Sequence, residues 1–213
     1  MQFLITYYLN NKPSIRNNEI EAFFKNERFK GKKLFQNSVI INSGFKDVSE
    51  LKYLIEFSST FDSKDEYFIS VIAKDNYRFG TGDQKYNFDV YDYVPTLNNK
   101  YLFYFELNQN DPSFRKRTIE LEKFLISFKN FDYQWEGQKI LETTWILKNK
   151  SRNEIHSKFI FENLAREPYK FDREQYKKYY CLEPEDKIAI SELSEDNILV
   201  KEGKITSTID YFF

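Results

Sequence analysis

The chain has 213 residues, of which 41% are hydrophobic and 31% are charged, and its formal net charge is -1. This hydrophobic content excludes an intrinsically disordered chain, and the balanced charge excludes nucleic-acid binding through overall basicity. A single cysteine excludes an intrachain disulfide, and with the lack of a signal peptide or a long apolar run it predicts a cytoplasmic protein without a membrane span.

The first half of the chain predicts alternating strands and helices. Phe3–Leu9 is a run of β-branched and aromatic residues, which is typical of a buried central strand. The apolar residues between Ile15 and Phe24 have helical spacing. A strand over Leu34–Ile41, a helix with Ser49 as its N-cap and a last strand over Glu66–Ile72 are expected to follow.

The second half predicts the same order of elements. A strand is expected over Tyr101–Leu107, and apolar residues from Ile119 to Phe128 predict a helix after it. A strand over Ile140–Leu147, a helix with Asn153 as its N-cap and a last strand over Lys187–Leu193 complete the series.

The two halves can be aligned as an internal repeat. Lys33–Ile41 falls on Lys139–Leu147 without gaps, and Asp65 falls on Asp186. Repetition of a βαββαβ order predicts an α+β fold made of two tandem ferredoxin-like units. Each unit is expected to pack its helices on one face of an antiparallel sheet.

The predicted units are residues 1–97 and 98–213. The second unit carries an insertion near residues 166–183. The GTGD sequence after the last strand of the first unit, and the EGK sequence near the C-terminus, are turn sequences followed by alternating residues. They predict an extra C-terminal strand in each unit.

The second half resembles a known family in three segments, ETTWIL, SRNEIHSKFI and DKIAISELSEDN. These resemble the small CRISPR-associated protein Cas-two and its SinR-like relatives, which are ferredoxin-like proteins of about half this length that pair as homodimers. The resemblance implies that the fused halves form a single-chain pseudo-dimer. It also implies a partner in a CRISPR or defence system, either nucleic acid or another protein.

The same resemblance implies a possible metal site at the end of each first strand. In the family, an aspartate there is the proposed Mg²⁺ ligand of a symmetric nuclease centre. Here Tyr8 occupies that position in the first half and Glu106 in the second. Because tyrosine is a poor Mg²⁺ ligand, half of the centre is lost. Glu106, helped by Asp111, is the candidate catalytic and metal-binding pair that remains.

Three clusters of basic residues are candidates for nucleic-acid binding, because basic and aromatic side chains together neutralise phosphates and stack on bases. The alternative for each cluster is an ordinary charged surface. The three basic residues at a predicted helix start oppose the helix dipole, which favours a use other than stability. The candidates are Lys30, Lys32 and Lys33 beside Lys25 and Arg28, then Arg115, Lys116 and Arg117, and finally Lys177 and Lys178.

Other reactive side chains favour structural roles. His156 is the only histidine, so a multi-histidine metal site is excluded. Cys181 has no histidine near it in sequence to activate it, and Trp135 and Trp145 are expected in the core or at an interface.

The leading hypothesis is a non-catalytic binding or scaffold protein that engages nucleic acid or a protein partner and needs no cofactor. The alternatives are a Mg²⁺-dependent nuclease using Glu106 and a protein-only defence or anti-defence module.

Overall fold

The structure is a computed structural model that describes residues 1–11, 13–26, 28–58, 61–81, 85–86, 96–130, 133–150, 185–201 and 204–206. Most of the described elements are strands of a large sheet, and the strand pairs with a described register are antiparallel. The predicted α+β class, with a large antiparallel sheet and few helices, is therefore confirmed.

The finer prediction of two tandem ferredoxin-like units stays a prediction. The second helix of the second half would fall in residues 151–184, which lie outside the described residues. The insertion near 166–183 falls in the same stretch.

The first part of the chain contains six elements. They are β1 (Gln2–Tyr8), α1 (Pro13–Lys25), β2 (Gly31–Phe35), β3 (Ser38–Asn42), α2 (Val48–Phe57) and β4 (Glu66–Thr81).

The remainder contains the other described elements. They are β5 (Lys85–Tyr86), β6 (Thr96–Glu106), α3 (Phe114–Ile126), β7 (Ser127–Asn130), β8 (Tyr133–Leu141), β9 (Thr144–Asn149), β10 (Lys187–Lys201) and β11 (Lys204–Thr206).

These elements group into two compact units. Unit 1 comprises residues 1–74, 90–97 and 193–213, and unit 2 comprises residues 75–89 and 98–192. The C-terminal segment therefore belongs to the same unit as the N-terminus, whereas the sequence analysis placed it in the second unit.

Unit 1 has the strand order β2-β3-β1-β4. The central strand β1 pairs Ile5 with Val39 of β3 on one side and with Ile69 of β4 on the other. Alternate residues of β1 enter one hydrophobic core together with residues of both helices, so α1 and α2 pack on the same face of the sheet. Examples from this core are Phe3, Ile5, Tyr7, Ile20, Phe24, Leu51 and Ile55.

Unit 2 contains the strand order β6-β9-β8-β7, with α3 packed on one face. Phe103 of β6 pairs with Trp145 of β9, which in turn pairs with Lys139 of β8. Both tryptophans are buried in the core of this unit, at Trp135 and Trp145. The structure thus places both of them as core residues.

Three local predictions were wrong. The run assigned to one strand over Leu34–Ile41 is a hairpin, because Gln36 and Asn37 form a turn between β2 and β3. A hairpin also replaces the predicted strand Ile140–Leu147. A pattern of apolar residues continues across a two-residue turn, so hydrophobicity alone does not reveal the reversal. The N-cap of α2 is Asp47, and Ser49 lies inside the helix.

A short strand near the C-terminus pairs with β10. Strand β11 runs antiparallel to β10, joining Leu199 to Thr206 and Lys201 to Lys204. Glu202 and Gly203 of the predicted EGK turn lie outside the described residues.

The two units repeat specific contacts as well as strand order. The Tyr7 backbone nitrogen donates to the Asn37 carbonyl at 3.0 Å, and Phe105 donates to Thr143 at 3.1 Å. Lys33 pairs with Glu21 between β2 and α1. Lys139 and Glu122 form the matching pair in unit 2. These pairs support the repeat that the sequence alignment predicts.

Candidate functional site

A basic loop connects α1 to β2 in unit 1. We define it by the exposed side chains of Arg28 and Lys30, together with Lys32 at the start of β2. Asn26 fixes the backbone of the turn, because its side chain accepts hydrogen bonds from the backbone nitrogens of Arg28 and Phe29 and donates one to the Phe23 carbonyl. The basic side chains therefore project from an ordered turn.

Phe29 anchors the basic loop in the core of unit 1. It is 2% exposed, and its ring centroid lies 4.7 Å from that of Phe23, 5.5 Å from Phe24 and 5.6 Å from Phe45. Lys30 follows it with a positive φ of 49°. The buried aromatic ring anchors the backbone from which the exposed cations project.

Two further lysines near the basic loop are engaged by one carboxylate. Glu21 pairs with Lys25 at 2.6 Å and with Lys33 at 2.9 Å. Hydrogen bonds from Lys25 and then from Lys33 lower the pKa of Glu21 below its usual range. Lys33, a sequence candidate for nucleic-acid binding, is thus part of this surface ion-pair cluster, while Lys30 and Lys32 lie in the loop.

The matching stretch of unit 2 has a different structure. After α3 the chain enters β7 directly, and β7 pairs with β8 from Ser127 opposite Glu136. A strand therefore extends the edge of this sheet where unit 1 carries the basic loop.

The three basic residues at the start of α3 divide into two kinds. Arg115 and Lys116 are exposed, and Lys116 lies 3.8 Å from Glu120. Arg117 is buried, and its guanidinium donates to Asp111 at 2.6 Å and also to Asp186. The position of Arg117 at the helix start is explained by these two carboxylates, which compensate its charge.

Arg117 and Asp186 form one of two equivalent buried clasps. In unit 2, Asp186 also accepts a hydrogen bond from the Asn108 backbone nitrogen at 3.0 Å. In unit 1, Asp65 accepts from the Asn10 backbone nitrogen at 3.1 Å and from the Arg16 guanidinium. Each clasp joins the end of a first strand, a first helix and the start of a last strand.

Asp65 and Asp186 align in the sequence repeat, and an aspartate directly before a strand would ordinarily be expected in a solvated turn. Both carboxylates are buried. Arg16, their partner in unit 1, was not singled out at all. The alignment of the two aspartates, each directly before a strand, was the signal that could have identified the clasp.

The carboxylates proposed for catalysis are engaged by neighbouring cations. The Glu106 carboxylate lies 3.2 Å from the Lys187 ammonium. Asp111 accepts hydrogen bonds from the backbone nitrogen and hydroxyl of Ser113, both at 2.8 Å. These hydrogen bonds, and then the one from Arg117, lower the pKa of Asp111.

A metal centre finds little support in this part of the structure. Tyr8 occupies the end of β1, where it pairs with Glu66 of β4. Among the described residues, no group of three or more histidine, cysteine, aspartate or glutamate side chains could hold a metal ion. Glu106 and Asp111 stay a prediction as a metal-binding pair, and each is engaged by a neighbouring cation.

The other sequence candidates Lys177, Lys178, His156 and Cys181 lie outside the described residues. In the ranges that are described, no helix combines the length and the apolar character needed to cross a membrane.

Comparison of the chain with protein-family models, curated proteins and solved structures gave no match.

Proposed function

We propose that this protein is a non-catalytic scaffold that binds the phosphate backbone of nucleic acid through the basic loop of unit 1. The observation that carries the proposal is the geometry of the loop, in which Arg28, Lys30 and Lys32 are exposed around the buried Phe29. Cations on an ordered backbone bind phosphates and release counterions with little loss of backbone conformational entropy.

The proposal includes the ferredoxin-like, Cas-two-like architecture that the sequence predicts. Two features support it. The strand order β2-β3-β1-β4, with two helices on one face, has the arrangement expected of such a unit. The clasp of Arg16 with Asp65 recurs as Arg117 with Asp186, as two copies of one unit would require.

The lack of catalysis is supported by the two strand ends. Both units keep the buried clasp. At the strand ends where the resemblance implies metal ligands, however, unit 1 has Tyr8 and unit 2 has Glu106, which is paired with Lys187. A Mg²⁺ ion at Glu106 would have to displace the Lys187 ammonium. Phosphodiesterase activity that depends on Mg²⁺ and is lost in Glu106→Gln would contradict this part of the proposal.

The binding test compares two triple variants with the same loss of charge. In R28Q/K30N/K32Q, glutamine keeps the length of the side chains and asparagine tolerates the positive φ of Lys30. The control K46Q/K64Q/K204Q removes three exposed lysines elsewhere in unit 1. Both variants are expected to keep the melting temperature of the parent protein, because all six positions are exposed.

Gel-shift titrations with short duplex DNA and duplex RNA at low and moderate salt give the readout. We expect the loop variant to bind at least about tenfold more weakly, and the slope of log K against log salt to fall by about 0.9 for each phosphate that the variant no longer neutralises. The control is expected to bind like the parent. Equal weakening in both variants, or no shift for the parent protein at either salt, would refute nucleic-acid binding by the loop.

Arg115 and Lys116 remain predicted nucleic-acid-binding residues in unit 2. The double variant R115Q/K116Q in the same titrations tests them separately. If the parent protein shows no shift, the protein-only interaction module becomes the better hypothesis, and co-purification that resists nuclease treatment would support it.

A further inference from the structure

An exposed aromatic pair lies on α2 of unit 1. Tyr53 is 65% exposed and Phe57 is 79% exposed, and their rings stack with centroids 6.2 Å apart and an interplanar angle of 21°. Glu50 and Glu56 are three residues before and after Tyr53, so they flank the pair on the same side of the helix. We call these four residues the acidic aromatic face.

The net charge of this face is negative. Glu56 pairs with Lys52 at 2.6 Å, and Glu50 accepts a hydrogen bond from the Lys46 backbone nitrogen at 3.0 Å. Asp47 adds a further carboxylate as the N-cap of the same helix.

A face of opposite charge lies on α3 of unit 2. Ile119 is 53% exposed and Ile126 is 52% exposed. They are seven residues apart and so lie on one stripe of the helix. The exposed Arg115, Lys116 and Lys123 surround them. We call these five residues the basic isoleucine face.

The acidic residues beside this stripe are paired. Glu122 lies 2.7 Å from the Lys139 ammonium and Glu120 lies 3.8 Å from the Lys116 ammonium, so Arg115 and Lys123 keep the face positive. The basic isoleucine face therefore presents apolar side chains within positive charge, whereas the acidic aromatic face presents them within negative charge.

We propose that the acidic aromatic face of one copy of this chain binds the basic isoleucine face of a second copy. Each face buries two large apolar side chains against the other, and their flanking charges attract. Because the two faces differ, the contact joins unlike surfaces, either reciprocally in a closed dimer or head-to-tail in a longer assembly.

Charge argues for this pairing over the pairing of like faces. Two acidic aromatic faces would bring Glu50 and Glu56 of both copies together, and two basic isoleucine faces would oppose their cations. Like charges brought together in an interface cost free energy. The basic loop takes no part in the contact, so this inference does not depend on nucleic-acid binding by that loop, although it shares Arg115 and Lys116 with the predicted site in unit 2.

Sedimentation velocity of nuclease-treated full-length protein over a range of concentrations tests the self-association. The parent protein is expected to sediment faster as concentration rises, and less so at high salt, since salt screens the flanking charges. Y53S/F57S and I119S/I126S are each expected to weaken self-association at least about tenfold. A parent protein that stays monomeric throughout, or either variant associating like the parent, would overturn the proposal.

Mixing the two variants distinguishes the pairing of unlike faces from the pairing of like faces. Y53S/F57S keeps an intact basic isoleucine face and I119S/I126S keeps an intact acidic aromatic face, so the mixture is expected to form a dimer of one copy of each that grows no further. A mixture that stays monomeric, or that forms larger species, would overturn the proposal.

A charge-reversed pair and a matched control guard against misfolding. E50K/E56K and R115E/K116E/K123E are each expected to lose self-association, because each then carries two faces of like charge, and a mixture of the two is expected to associate. The control I15S/I205S removes two exposed isoleucines elsewhere in unit 1, where Ile15 is 58% and Ile205 is 64% exposed. It is expected to associate like the parent protein, and loss of association in this control would also contradict the assignment of the two faces.

Discussion

The ionisation of the buried Asp65 carboxylate depends on the groups that donate hydrogen bonds to it. Its burial raises its pKa, but hydrogen bonds from Arg16 and from the backbone nitrogens of Asn10 and Asp62 outweigh burial, so the pKa lies below the usual value. The ionised form is therefore favoured in the folded protein. A buried charge of this kind is tolerated because the guanidinium and the amides compensate it.

We expect Asp65→Asn to lower the free energy of unfolding by about 3–5 kcal/mol at neutral pH, because Arg16 then remains without its buried counterion. Asp62→Asn is the matched control, since Asp62 contacts the same guanidinium at 3.1 Å while its side chain is 56% exposed. An exposed pair contributes less than about 1 kcal/mol. Urea unfolding measures both, and equal effects would contradict the role given to Asp65.

The same pair gives a pH dependence with a definite sign. Because the pKa of Asp65 is lower in the folded than in the unfolded chain, its contribution is present above the unfolded value of about 3.9 and is lost as pH falls through the folded value. The difference in stability between the parent protein and Asp65→Asn should therefore shrink as pH falls below about 4. A constant difference down to the lowest pH at which both fold would be inconsistent with this linkage.

Gly31 lies where the surrounding atoms leave no room for a Cβ atom. A Cβ atom at Gly31 would lie 2.5 Å from the Phe24 carbonyl oxygen, and one at Gly137 would clash with the Leu125 carbonyl in the equivalent place of unit 2. We expect Gly31→Ala to lower the free energy of unfolding by about 1–3 kcal/mol through overpacking. Gly44→Ala, where nothing lies within 4 Å, should be neutral or slightly stabilising in the same urea experiment.

At the scale of elements, two carboxylates from distant parts of the chain determine where α2 begins. Asp47 accepts a hydrogen bond from the Glu50 backbone nitrogen at 2.9 Å, and Asp196 of β10 accepts from the Val48 backbone nitrogen at 3.2 Å. Burial, followed by the charge of Asp47, raises the pKa of Asp196 despite this hydrogen bond. The helix start therefore combines a local cap with one supplied by the C-terminal segment.

We expect Asp47→Ala to lower the free energy of unfolding by about 1 kcal/mol, the usual cost of an N-cap. Ser49→Ala, at the position that the sequence predicted as the cap, should leave the free energy of unfolding unchanged within about 0.5 kcal/mol. Thermal unfolding followed by circular dichroism compares the two. A larger effect at Ser49 than at Asp47 would favour Ser49 as the cap.

At the scale of the whole molecule, unit 1 is completed by residues from the far end of the chain. Val200 is part of its hydrophobic core and Ile198 packs against that core. Residues 193–213 group with this unit. The compact unit is therefore not a continuous stretch of sequence.

The fragment 1–97 is consequently expected to unfold at a lower temperature and with less cooperativity than the full chain, because it lacks this part of the core and the Asp196 cap. A synthetic peptide covering residues 193–213 should raise the melting temperature of the fragment. A fragment that melts like the full protein without the peptide would show instead that residues 1–97 suffice.

The sequence by itself determined several local elements and predicted the repeat. Hydrophobic periodicity gave the positions of β1, α1, α2 and α3, and the alignment of the two halves agrees with the paired contacts of Lys33 with Glu21 and Lys139 with Glu122. These features depend on residues close in sequence or on a pattern that occurs twice, so they can be read without coordinates.

Only the tertiary structure decided which charges are buried and which are exposed. Arg117 resembled Arg115 and Lys116 in sequence, yet it is buried because Asp186, 69 residues away, meets its guanidinium. The N-cap contributed by Asp196 and the anchoring of the basic loop by Phe29 likewise depend on contacts between distant residues. The physical reason is that the free energy of a charge depends on the groups folded around it, which no local pattern specifies.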